Sequence, residues 1–165
     1  MAYSVASLAP GDIVLVAGVH WTGGLWGGLL DAAIQWATVS PFHHAALVGD
    51  GVLIQALAQV ETAALDTYAA DGWAYRVAAT PAQRTAAVAW AAAHQGAPYG
   101  TRELLLDAAR FDLHWLPRAR HLKHWTCSGF IFRSYLDAGV CLTYAPWPAP
   151  SDLSYSPLLG GPRPV

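Results

Sequence analysis

Hydrophobic and polar positions alternate along this chain in two regimes. Up to about residue 79 the apolar runs are short and β-branched. Pro10-Gly11-Asp12 is a turn leading into Ile13-Val14-Leu15-Val16-Ala17, a continuous run that predicts a buried strand. Ala45-Ala46-Leu47-Val48 and Val52-Leu53-Ile54 flank Gly49-Asp50-Gly51, and the Asp-Gly pair predicts a tight hairpin. Val60 to Ala64 and Tyr75 to Ala79 are weaker strand candidates. Between the first strand and the hairpin, Gly18 to Gly28 interleaves His20, Trp21 and Trp26 with glycines, and Leu29 to Thr38 carries an apolar stripe of helical period that Ser40-Pro41 ends.

Beyond residue 80 the period changes. Pro81 opens an alanine-rich helix through about Gln95, stopped by Gly96 and Pro98, and Glu103 to Ala109 predicts another. Phe130, Ile131, Tyr135, Leu136 and Ala138 mark a third helix, which begins at Cys127, with Thr126 as its N-cap and Gly139 closing it. The tail from 146 to 165 is proline-rich and is expected to be extended. Strands in the first half and helices in the second predict an α+β fold, a small antiparallel sheet packed against helices, in one domain spanning 1–165.

Composition narrows the function. The chain is 55% hydrophobic and 12% charged, with a formal net charge of −2, so no basic surface is available for nucleic acid beyond the short cluster Arg118, Arg120, Lys123. No stretch approaches 18 uninterrupted apolar residues and no basic, apolar leader opens the chain, which predicts no transmembrane segment and a protein cytoplasmic as synthesised. His114, His121 and His124 lack a cysteine or acidic partner at matching spacing, so neither a metal nor a cofactor is expected.

The two cysteines are too few for a disulfide framework, and a helix between them holds them apart; Cys141 reads as a core residue. Cys127 differs. A thiol at a helix N-terminus meets unpaired N–H groups and the positive end of the dipole, which favour thiolate and so a nucleophile. The base is sought on the hairpin. With a two-residue Asp50-Gly51 loop, residue 46 faces 55 and His44 becomes a diagonal neighbour of Gln55 on the same face, whereas a three-residue loop sends Gln55 to the other face. His43 competes with His44, and strand alternation points the two in opposite directions; parity with Ala46 and Val48 favours His44. Cysteine, imidazole and an orienting side-chain carbonyl together make a thiol-hydrolase set. Glu61 is the second choice for the third member.

Gly96-Ala-Pro-Tyr99, Cys127-Ser-Gly-Phe and Ala138-Gly-Val, with Pro10-Gly-Asp-Ile-Val-Leu, His44-Ala-Ala-Leu-Val-Gly-Asp-Gly and Leu53-Ile-Gln-Ala56, resemble the signature segments of NlpC-type papain-like cysteine peptidases. The cysteine helix follows the histidine strands, as in the circularly permuted branch that includes lecithin:retinol acyltransferase-like proteins. The resemblance covers most of residues 9 to 142. It implies a permuted papain-like fold, with Cys127 as nucleophile, His44 as base and Gln55 orienting the imidazole. Tyr99 and Ser128 would line the cleft. Members of the family more often carry His or Glu at the Gln55 position, and a neutral amide supports an imidazolium less than a carboxylate does.

By this resemblance the bond cleaved is an amide, in a peptide or in the peptide stems of peptidoglycan. A lipid acyltransferase or lipid hydrolase, suggested by the apolar, tryptophan-rich composition, and a binding module without turnover are the alternatives. Of the eight tryptophans, Trp21 and Trp26 are candidates for a substrate groove; Trp36, Trp73 and Trp90 read as core.

Overall fold

The computed structural model describes residues 4–18, 41–98, 126–145 and 148–161. Its described strands are β1 (Ile13–Ala17), β2 (Phe42–Val48), β3 (Leu53–Ala56), β4 (Val60–Ala63), β5 (Gly72–Val77) and β6 (Leu159–Gly160). They form an antiparallel sheet in the order β4-β3-β2-β1-β5-β6. The described helices are α1 (Pro81–Ala93), α2 (Cys127–Asp137) and the short α3 (Pro150–Ser154), after a single 3-10 turn at Val5–Ser7. The architecture is α+β, as the change of period predicts. The predicted helices over Leu29–Thr38 and Glu103–Ala109, and the loop of Trp21 and Trp26, lie outside the described residues.

Local chemistry sets the element ends. Thr80 caps α1 through a reciprocal pair, its hydroxyl accepting from the Gln83 amide N–H while Gln83 Oε1 accepts from Thr80 N, and Pro81 occupies the first helical position, where an N–H would be orphaned anyway. The hairpin closes on Gly51, at φ +72°, and pairs Val48 with Leu53, Leu47 with Ile54 and Ala46 with Gln55. That is the two-residue register the Asp-Gly pair predicts.

The sheet buries both faces. On the helix side Ile13, Leu15, Ala45, Leu47 and Ile54 pack with Ala87 and Ala91 of α1 and Phe130, Ile131 and Tyr135 of α2. On the other side Val14, Val16, Ala46, Val48, Leu53 and Ala74 are covered by Leu8 and by Leu65, Tyr68 and Ala69 of the turn before β5. Burial on both faces explains why β1 reads as a continuous apolar run and not as an alternating one. Pro10-Gly11-Asp12 anchors the sheet to α2: Gly11 N donates to Val48 O at 2.8 Å, and the Tyr135 hydroxyl donates to Gly11 O. Asp12, fully buried, is paired with Arg76 of β5 and accepts from Ala9 N at 2.9 Å.

Three expectations are corrected. Cys141 is exposed, its Sγ 3.2 Å from Thr143 O, because the segment after Gly139 alternates, burying Val140 and Leu142 in the core and turning the residue between them to solvent. The tail is not simply extended: Pro150 starts α3, and Leu159–Gly160 adds a strand beside β5. Strand β5 begins at Gly72, three residues before the apolar run, since Gly72 and Trp73 pair with Val16 and Leu15.

Candidate active site

Cys127 is the first residue of α2. The Thr126 hydroxyl accepts from Gly129 N at 3.1 Å, fixing the helix start. Glycine leaves this cap undisturbed, because a Cβ on residue 129 would stand 2.7 Å from Thr126 Oγ1. The Cys-Ser-Gly sequence is thus partly a capping device. At the other end, Val140 N donates to Tyr135 O at 2.8 Å across the left-handed Gly139, closing the helix.

The helix lays its N-terminal turn against β2. The Cys127 sulfur is buried and meets the backbone N–H groups of Ala45, of Ser128 and of Cys127 itself. Burial is the strongest influence and pushes the thiol pKa up; those N–H groups pull it down and do not win. That direction favours the neutral thiol over the thiolate. This corrects the expectation drawn from the helix N-terminus alone, because desolvation of an anion inside the core outweighs a few backbone dipoles.

His44, immediately before Ala45, is buried, and its Nε2 lies 3.0 Å from Gln55 Oε1, also buried. A carbonyl oxygen cannot donate, so Nε2 carries the proton in this bond and Nδ1 is the ring nitrogen that Gln55 does not engage. The Tyr68 hydroxyl donates to the same Oε1 at 2.8 Å. Glu61 stands directly across the ladder from Gln55, half-buried, with no hydrogen bond or ion pair among the described residues.

Simple alternation does not describe this part of β2. Phe42 and Ala45, three residues apart, both belong to the helix-side cluster, and the pairing with β1 slips between Val16/His44 and Ala17/Phe42. A bulge of this kind re-aims the side chains within it. His43 is the residue the slip passes over, whereas His44 still pairs with Val16 and keeps its parity with Ala46; both histidines are buried. Gln55 identifies the imidazole it orients as that of His44. The ladder between β2 and β3 ends at Ala46 and Gln55, one residue short of Ala45, whose N–H meets the sulfur. The sulfur thus meets β2 at Ala45, the residue that follows His44 in the strand.

Ser128 is buried, and its hydroxyl donates to Pro148 O at 2.5 Å, tying the tail to the start of α2. Tyr99, Trp21 and Trp26 lie outside the described residues, as do His114, His121 and His124. Trp73 meets Phe42 edge-on at 6.0 Å and Trp90 lies 5.6 Å from Phe130, in keeping with their reading as core. Tyr68 is the residue that sequence reasoning missed; no local pattern singles out one tyrosine in a turn. Among the described residues no group of three or more His, Cys, Asp or Glu side chains could hold a metal ion, and no helix is long and apolar enough to cross a membrane.

No protein-family model matches the chain, and no curated protein matches it. Among solved structures it is similar to the metalloprotein yiiX from Escherichia coli O157:H7, described as DUF1105, at 16% identity and a TM-score of 0.65, over 94% of this chain and 97% of that one. At that identity the likeness is one of fold.

Proposed function

We propose that this protein is a cysteine hydrolase on a circularly permuted papain-like, NlpC-type fold, cleaving an amide bond in a peptide or peptidoglycan stem peptide. The observation that carries the reading is the bond from His44 Nε2–H to Gln55 Oε1 on the strand whose Ala45 N–H meets the Cys127 sulfur. It leaves Nδ1 as the ring nitrogen that Gln55 does not engage, on the residue next to the one that meets the thiol.

In this mechanism the Cys127 proton passes to His44 Nδ1 as the sulfur attacks the substrate carbonyl carbon. The thiol is neutral at rest, so transfer accompanies attack instead of preceding it. The N–H of Cys127, at the helix start, donates to the developing oxyanion. Nδ1–H then protonates the leaving amine, the C–N bond breaks and a thioester remains. Water, losing a proton to Nδ1, attacks the thioester; the acid leaves and the sulfur regains its proton. Gln55 orients the ring throughout and supports the imidazolium as a dipole.

A binding module without turnover is the second reading, and the raised thiol pKa favours it. The lipid acyltransferase or hydrolase alternative rests on composition alone. The deciding experiment is amine release from peptide and stem-peptide substrates, with acid-quench mass spectrometry for an acyl group on Cys127. Cys127→Ser should abolish release, His44→Ala should lower it by roughly 10²–10⁴-fold, and Cys141→Ser should leave it intact. Turnover that survives Cys127→Ser would refute the proposal; no turnover and no acyl adduct on any of these substrates would favour the binding module.

A further inference from the structure

The Gln55 carbonyl serves two aromatic side chains at once. Tyr68 sits half-buried in the turn between β4 and β5, its ring centroid 5.5 Å from that of His44 and tilted 58° to it, while its hydroxyl donates to the oxygen that His44 Nε2–H also reaches. Imidazole and phenol thus lie against each other and share one acceptor.

A glutamine amide has two ends of nearly the same shape and opposite chemistry. With oxygen toward His44, Nε2 must carry the proton, and in the neutral ring Nδ1 is then the nitrogen with the lone pair. With the NH2 group toward His44, Nε2 must accept, so the proton moves to Nδ1 and that nitrogen can no longer take a proton from a thiol. Nothing in the His44–Gln55 pair alone excludes the second arrangement, because both ends of the pair can exchange roles together. A phenol breaks the tie. Its O–H is a good donor, while its oxygen is a poor acceptor because a lone pair is shared with the ring, so it holds the oxygen end of the amide toward itself and toward His44.

We infer that Tyr68 is a positioning residue which selects the Nε2–H tautomer of His44 by locking the Gln55 amide with its oxygen inward. The inference builds on the hydrolase reading for its purpose, since it keeps Nδ1 available as the base, but its test reads the resting ring and needs no substrate.

The experiment follows the imidazole nitrogens of His44 by long-range ¹H–¹⁵N correlation in the ¹⁵N-labelled full chain, with the ring neutral and its signals assigned by their loss in His44→Ala. Wild type should show the Nε2–H form. Tyr68→Phe, which keeps the ring and removes only the hydroxyl, should raise the Nδ1–H fraction about fivefold, the population ratio that loss of one neutral hydrogen bond produces. In a Gln55→Glu background both ends of residue 55 are oxygens, so Tyr68→Phe should leave the tautomer unchanged. A tautomer unmoved by Tyr68→Phe beside Gln55, or moved equally beside Glu, would overturn the inference. Loss of cooperative melting in Tyr68→Phe would do so too, by making the residue structural. Failure of the hydrolase reading is separate: it would show as absent turnover with the tautomer shift still present.

Discussion

Replacing Gly129 by alanine should destabilise the protein even though alanine is the better helix former. Residue 129 is the third of α2, and its φ is not in the left-handed region, so the objection is purely steric. The new Cβ would stand 2.7 Å from Thr126 Oγ1, and the hydroxyl is the group free to move. Rotating it away relieves the clash and breaks the 3.1 Å bond to the residue 129 amide, losing a cap worth about 1 kcal/mol. Against this, glycine to alanine gains up to about 1 kcal/mol in a helix interior and less in the first turn. The net expectation is a loss of about 0.5–1 kcal/mol, lowering the melting temperature by roughly 1–4 °C for a domain of this size. In a Thr126→Ala background nothing obstructs the methyl group, and the same substitution should stabilise by a few tenths of a kcal/mol. Urea denaturation of the four proteins measures the coupling directly. If Gly129→Ala is as favourable with Thr126 present as with it absent, the cap does not explain the Cys-Ser-Gly sequence.

Three further outcomes are expected. Because the folded state holds the Cys127 thiol pKa above its unfolded value, folding keeps a proton that the unfolded chain releases above about pH 8.5, so stability falls as pH rises from there. Denaturation of wild type and Cys127→Ser between about pH 8 and 10 should show that slope only in wild type; the range stops there because burial raises Tyr75 and Tyr135 as well, and equal slopes would count against a buried neutral thiol. Arg76→Ala strands the buried Asp12 carboxylate and should cost about 2–3 kcal/mol, less than for a fully buried pair because Arg76 is 30% exposed; a chemical-denaturation loss below 0.5 kcal/mol would mean that Asp12 is satisfied without it. Ser128→Ala leaves Pro148 O without its side-chain donor, so limited proteolysis should cut sooner within 148–161, while unchanged cleavage would show that the tail is held by its other contacts.

Elements with strong local chemistry were legible. The Asp50-Gly51 pair predicts the register that sets Ala46 against Gln55, and Pro81 after Thr80 marks the start of α1. Cys127 after Thr126 marks the start of α2 in the same way. What escaped the sequence was decided by partners. Gly72 and Trp73 are strand because β1 pairs with them, and Leu159–Gly160 is strand because β5 does. At the site, the pattern finds His44 and Gln55 but not the bulge at His43, since an extra residue in a ladder leaves no periodic trace. The thiol's protonation was misjudged for a similar reason: the helix terminus is visible in sequence, and the depth at which β2 buries it is not.

The thiol and the imidazole pair reach the site by routes of different range. His44 and Gln55 belong to one hairpin and meet as soon as β2 and β3 zip together, whereas Cys127 arrives only when α2 docks across the sheet and Tyr135 reaches the Gly11 carbonyl. Contacts between segments so distant in sequence form late in folding and carry the larger loop-closure cost. An opening that lifts α2 alone would leave the hairpin and its hydrogen-bonded imidazole intact while removing the sulfur, so the integrity of the site reports on the docking of one helix more sensitively than on the survival of the sheet.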